Sequence, residues 1–154
     1  SILWLDVDQF YGIEYDEFAA KIAEVAMWLI DHQMNMRVSE AFGQYLSNFQ
    51  AIRWMIAEIA TEIQAARLLT YYSAELNDNG LPFATEASMA KLFGSEIAVK
   101  AVDRAMQIHG GYGYFKPSVV ERLYRDAKIT QIYEGTTEIQ KLVISRNILK
   151  DMAI

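Results

Sequence analysis

Residues 47–80 read SNFQAIRWMIAEIATEIQAARLLTYYSAELNDNG, and their periodicity decides the fold class. Phe49, Ile52, Ile56, Ile59, Ile63 and Ala66 recur at alternating steps of three and four, the seam of a helix in a bundle. Ser47 and Gln50 fit a Ser-x-x-Gln capping box, which predicts the start. Asn77-Asp78-Asn79-Gly80, followed by Pro82, predicts the stop. A helix of about 30 residues is about 45 Å long at 1.5 Å per residue. That length suits a long bundle better than a small globular domain.

Working outward, a further helix is predicted after Thr85, with Glu86 at its positive end. It carries Met89, Leu92, Phe93, Ile97, Val99, Val102 and Met106 and stops at Gly110-Gly111. Phe49, Ile56 and Ile63 are expected to share a core with Met89 and Val102. The loop GGYGYFKP follows, and Ser118 with Glu121 makes a second capping box opening a short helix to about Lys128. QIYEGT breaks the pattern at Gly135, and a last helix begins near Thr136 with Ile139, Leu142, Val143, Ile148 and Leu149. Upstream, Asp16 is a plausible N-cap for a helix carrying Phe18, Ile22, Val25, Leu29 and Met36, ending at Gly43. Residues 1–14 alternate loosely, as a short strand or an irregular lead-in. The expected fold is all-α: an antiparallel four-helix bundle with a short extra helix, forming a single helical domain over 1–154.

Composition narrows the function classes. The chain is 53% apolar and 22% charged over 154 residues, which is globular and not disordered. Cysteine is absent, excluding disulfides, thiolate zinc and a cysteine nucleophile. The net charge of −6 disfavours nucleic acid as a partner. No run approaches a membrane span, and SILWLDVDQF lacks the basic start of a signal peptide, so a cytoplasmic location is expected. Only His32 and His109 are histidines, with no clustered carboxylates at ligand spacing, so no metal site is expected.

Two segments could carry chemistry. In Ile132-Tyr133-Glu134-Gly135-Thr136, a carboxylate stands beside a glycine between two helices. Partial burial there would raise its pKa toward the range of a general base. Gly135 allows close approach of a ligand, and Thr136 offers a hydroxyl and N–H groups. The plainer alternative is a turn with Thr136 as N-cap and Glu134 favouring the helix dipole. In QIHGGYGY (107–114), three glycines can bring N–H groups to a phosphate, although a helix C-terminus has the wrong dipole sign. A glycine C-cap is the plainer alternative there.

QIHGGYGY and VERLYRDAKITQIYEGTTEIQKLVISRNIL closely resemble the C-terminal helical domain of acyl-CoA dehydrogenases. LSNFQAIRWMIAEIATEIQAARLL and EASMAKLFGSEIA extend the resemblance to roughly residues 42–150, with DAKITQIYEGTTEIQ its most specific run. The resemblance implies FAD-dependent α,β-dehydrogenation of acyl-CoA thioesters, with Glu134 as the base that removes the α-proton. It implies that Tyr133 and Gly135 line the substrate site. It implies FAD contacts for Thr136, Thr137 and Glu138, and for Phe42, Gln107, Gly110 and Gly111 toward the FAD of a neighbouring subunit. A dimer or tetramer follows from that sharing, and an electron-transfer flavoprotein is the usual electron acceptor. The N-terminal and β-domains of such enzymes do not fit in this chain, which is therefore expected to be a C-terminal piece, inactive alone.

Three departures accompany the resemblance. Ser39 stands where an arginine is usual, with Arg37 nearby, and Pro117 stands where an acidic residue is usual. FYGIEYDEFAAKIAEVAMWLIDHQMN (10–35) instead resembles a piece of bacterial DNA adenine methyltransferases, which implies a fusion joined near Phe42 to Ser47; a divergent first helix is the alternative. A non-catalytic helical interaction or oligomerisation module is the other functional reading.

Overall fold

A computed structural model of the chain describes residues 43–150. These residues form five α-helices and no strand: α1 (Gln50–Asp78), α2 (Ala84–His109), α3 (Gly111–Tyr114), α4 (Val119–Ile129) and α5 (Thr137–Lys150). A 3-10 turn at Leu46–Asn48 precedes them. The all-α expectation stands. The lead-in over 1–14, the helix expected from Asp16, and Phe42 lie outside the described residues.

The α1 stop is where the sequence places it. Asn79 Nδ2 donates to the Glu75 carbonyl at 2.7 Å, and Gly80 follows at φ +67°. A left-handed glycine just past the last turn satisfies carbonyls that the helix leaves open. The chain then returns as α2, antiparallel to α1. Glu62 pairs with Lys100, and Glu58 Oε2 pairs with Arg104 Nη1 at 2.5 Å, so position falls along α1 as it rises along α2.

The α1 start differs from the expected capping box. Its N-cap is Phe49, without a side-chain cap, and Ser47 sits in the 3-10 turn. Arg53 Nε instead donates to the Ser47 carbonyl at 2.5 Å. The guanidinium holds the preceding turn in place, so the helix entry relies on Arg53 and not on a serine hydroxyl. At Ser118 the expectation holds in half. Its Oγ accepts from the Val120 N–H at 3.2 Å, but Glu121 turns forward to Arg125 instead of back to the cap.

The core is built on α2, which packs against α1, α4 and α5. Ile59 and Ile63 of α1, Ile97, Val102 and Ile108 of α2, and Val120 and Leu123 of α4 are buried together. Ala98, Ala101 and Ala105 of α2 are also fully buried. Small side chains let three helices approach one axis at close range, and this displaces the expected large ones. Met89, Leu92, Phe93, Val99 and Met106 are only half-buried, as are Phe49 and Ile56.

Candidate active site

Between α4 and α5 the chain makes a tight reversal. Thr130 is buried and its hydroxyl donates to the Ala127 carbonyl at 2.7 Å, ending α4. The Thr137 N–H donates back to the Gln131 carbonyl at 3.1 Å, closing the loop. Within it Glu134 has φ +52° and Gly135 φ +91°. A left-handed conformation at a non-glycine residue costs on the order of 1–3 kcal/mol and persists only where its surroundings over-determine it. Two side chains do so here. Lys91 Nζ of α2 donates to the Gly135 carbonyl at 2.6 Å. Gln140 Nε2 of α5, a buried amide, donates to the Glu134 carbonyl at 3.2 Å and the Gly135 carbonyl at 3.3 Å.

The Glu134 side chain faces outward and is exposed in this chain. The protein packed beside it nevertheless holds its carboxyl above the usual range, while the Lys91 ammonium pulls in the opposite direction. Among the described residues its carboxylate makes no hydrogen bond or ion pair, and its backbone N–H reaches no protein acceptor. The turn therefore presents a free carboxylate and a free donor on one residue. Four residues on, Glu138 is shifted the other way. Its own backbone N–H and the Thr136 hydroxyl donate to it and keep it below the usual carboxylate range. Thr137 Oγ1 is buried without a hydrogen-bond partner among the described residues.

The glycine-rich segment lies well apart along the same helix. About 24 Å of α2 separates Lys91 from Gln107 at 1.5 Å per residue. Gln107, Gly110 and Gly111 are exposed. The three glycines there differ in what the chain requires of them. Gly110 has φ +57°. Gly113 packs against His109, where a Cβ would meet the His109 Cβ at 2.8 Å. Gly111 has neither constraint: a Cβ there would enter open space with nothing within 4 Å. His109 is buried, and its Nδ1 donates to the Ala105 carbonyl at 2.7 Å, leaving Nε2 without a protein partner among the described residues.

Glu134, Gly135, Thr136, Thr137 and Glu138 thus lie together in one turn and the helix start that follows it. Gln107, Gly110 and Gly111 do not join them within one chain. Tyr133 is half-buried at the base of the turn, its N–H donating to the Ile129 carbonyl at 3.0 Å. Lys91 and Gln140 escaped the sequence reading. A lysine within a helix face of small residues, Ala87, Ser88, Gly94 and Ser95, and a glutamine inside DAKITQIYEGTTEIQ were the signals available.

The family model for the acyl-CoA dehydrogenase C-terminal domain matches residues 18–149. The chain belongs to the acyl-CoA dehydrogenase family.

Its relatives agree in fold and sequence. An acyl-CoA dehydrogenase of Bacillus subtilis is 50% identical over 131 residues, covering 85% of this chain and 34% of that protein. A caffeyl-CoA reductase-Etf complex subunit of Acetobacterium woodii is 51% identical over 109 residues, covering 71% of this chain and 29% of that protein. The structure of butyryl-CoA dehydrogenase from Megasphaera elsdenii superposes with a TM-score of 0.84 at 41% identity, covering 89% of this chain and 35% of that one. The chain spans about a third of the length of these acyl-CoA dehydrogenase relatives. The match also corrects the reading of the first forty residues. It begins at residue 18 and its range includes Phe42–Ser47, and the methyltransferase resemblance and the fusion it implied are not supported.

Proposed function

We propose that this single helical domain is the catalytic-base-bearing part of an FAD-dependent acyl-CoA dehydrogenase, inactive without the rest of the enzyme. The observation that carries the reading is the Glu134 turn: a carboxyl held above its usual pKa beside its own unpartnered N–H. A thioester α-proton is a weak acid, and its removal needs the carbonyl polarised as charge develops on oxygen. The Glu134 N–H donates to that oxygen while the Glu134 carboxylate takes the α-proton. FAD, held by Thr136, Thr137 and Glu138, would supply the acceptor for the β-hydrogen and its electron pair, the product being the 2-enoyl thioester. Gly135 sits against the acyl chain, and Tyr133 walls the site.

The residues fit the cofactor. Thr137 has an orphaned buried hydroxyl, Glu138 is an ionised acceptor, and together with Thr136 they form the FAD contact in this chain. Gly111, which the chain itself does not require to be glycine, supports close approach of a second subunit's FAD, with Gln107, Gly110 and Phe42 as partners. Separation of the two sets along α2 supports sharing between chains, hence a dimer or a dimer of dimers in the cytoplasm. An electron-transfer flavoprotein is the proposed acceptor; the Acetobacterium relative carries Etf in its name.

The test is anaerobic mixing of the whole flavoprotein with a panel of straight-chain acyl-CoA thioesters, following flavin bleaching. Glu134→Gln should keep flavin and ligand binding and slow bleaching by about 10²–10⁴-fold. Parental bleaching in Glu134→Gln, with loss in Glu138→Gln, would move the base to the other carboxylate.

A further inference from the structure

We propose that Lys91 and Gln140 are positioning residues: they clamp the carbonyls of Glu134 and Gly135 from two different helices, and this clamp aims the Glu134 carboxyl. The inference rests on the reading of Glu134 as the base. Three donor contacts, at 2.6, 3.2 and 3.3 Å, converge on two adjacent carbonyls. The left-handed pair at φ +52° and +91° needs such support, because Glu134 has a Cβ that disfavours it.

The side chain of Glu134 offers no anchor of its own. Among the described residues its carboxylate is neither hydrogen-bonded nor ion-paired, so the backbone of the turn decides where it points. Gln140 is buried, and an amide taken out of water without partners is costly, so its donor is committed to the turn. Its Nε2 also stands 2.7 Å from where a Gly135 Cβ would fall, which ties the glycine to the clamp. Lys91 contributes twice. It fixes the Gly135 carbonyl, and its ammonium keeps the nearby carboxyl from rising further under the effect of burial. The other charges facing this end are Lys128 of α4 and Lys141 of α5, both acting on Glu138.

Two arms test the clamp. In the 154-residue chain, the Glu134 carboxyl is followed by ¹³C NMR through a pH titration, with Glu134→Gln supplying the assignment. Lys91→Met should raise the titration above that of the parent, since an opposite charge is lost. Lys91→Arg should stay near the parent and shows that the fold tolerates change at this partly buried position. Gln140→Met, similar in size but without the donor, should move the amide resonances of residues 133–136. In the whole flavoprotein, Lys91→Met and Gln140→Met should slow bleaching by about 10²-fold, the cost of misplacing a catalytic group by about 1 Å. Flavin content and acyl-CoA dissociation constant should stay parental, and Lys91→Arg should recover most of the rate. Parental bleaching in Lys91→Met or Gln140→Met overturns the clamp. Parental bleaching in Glu134→Gln would instead defeat the base assignment, and the titration arm would still decide whether the turn is clamped.

Discussion

A Cβ placed on Gly113 would stand 2.8 Å from the Cβ of His109, one turn earlier, and 3.3 Å from the Met106 carbonyl. Gly111, two residues before it, faces open space. Gly113→Ala should therefore destabilise the domain by about 1–3 kcal/mol, the range of overpacking. Gly111→Ala should leave the melting temperature of the chain unchanged or slightly raised, since it removes unfolded-state freedom at no steric cost. In the whole flavoprotein the order should reverse for flavin retention on dilution, with Gly111→Ala the one that loses cofactor. Thermal melts paired with flavin fluorescence separate the two effects.

Ile59 is 1% exposed at the junction of α1, α2 and α4. Ile59→Ala should cost about 2–5 kcal/mol, combining lost burial with the cavity left in the core. Denaturant unfolding at constant slope is the check.

The two serines that share a capping pattern should behave differently. Ser118 Oγ accepts a backbone N–H at the start of α4, and Ser118→Ala should cost about 1 kcal/mol. Ser47 caps nothing, and Ser47→Ala should stay within about 0.5 kcal/mol. Equal losses in the two variants would mean that α1 does begin on a serine cap.

Burial raises the Glu134 pKa in the folded chain. A carboxyl that holds its proton more tightly when folded costs stability wherever both folded and unfolded states are ionised. That cost disappears as pH falls through the folded pKa and then the unfolded one. Glu134→Gln should therefore stabilise the chain at pH 7, and the advantage should shrink as the solution is acidified toward about pH 4. In the whole enzyme the same raised value should set the acid limb of flavin bleaching, with activity falling as Glu134 protonates. Unfolding measured at both pH values, and a pH profile of bleaching, check the two halves.

Much of this was legible along the chain because it is local. The α1 seam, the Asn79-Gly80 stop, the Ser118 cap and the break at Gly135 each depend on neighbours within one or two turns. What the sequence hid depends on distant partners. Arg53 replaces the Ser47 cap by reaching back to a carbonyl, which a capping pattern does not encode. The alanine-lined centre of α2 was missed because periodicity weights large apolar side chains, while a helix packed on several sides favours small ones. Glu134 could be picked out beside its glycine. Lys91 could not, because 44 residues lie between it and the carbonyl that it binds.

The separation of Lys91 from Gln107 along α2 has a genetic consequence. If one end of the helix serves the chain's own reaction centre and the other serves its neighbour's, then each centre is assembled from two polypeptides. Two dead alleles could then rescue one another. Subunits carrying Glu134→Gln and subunits carrying a bulky residue at Gly111 would each form inactive homodimers. A mixed pair would concentrate both defects in one centre and leave the other intact. Co-expression of the two with different tags, followed by tandem purification, should yield bleaching that neither variant shows alone; a dead mixed pair would place both ends of α2 in the same centre.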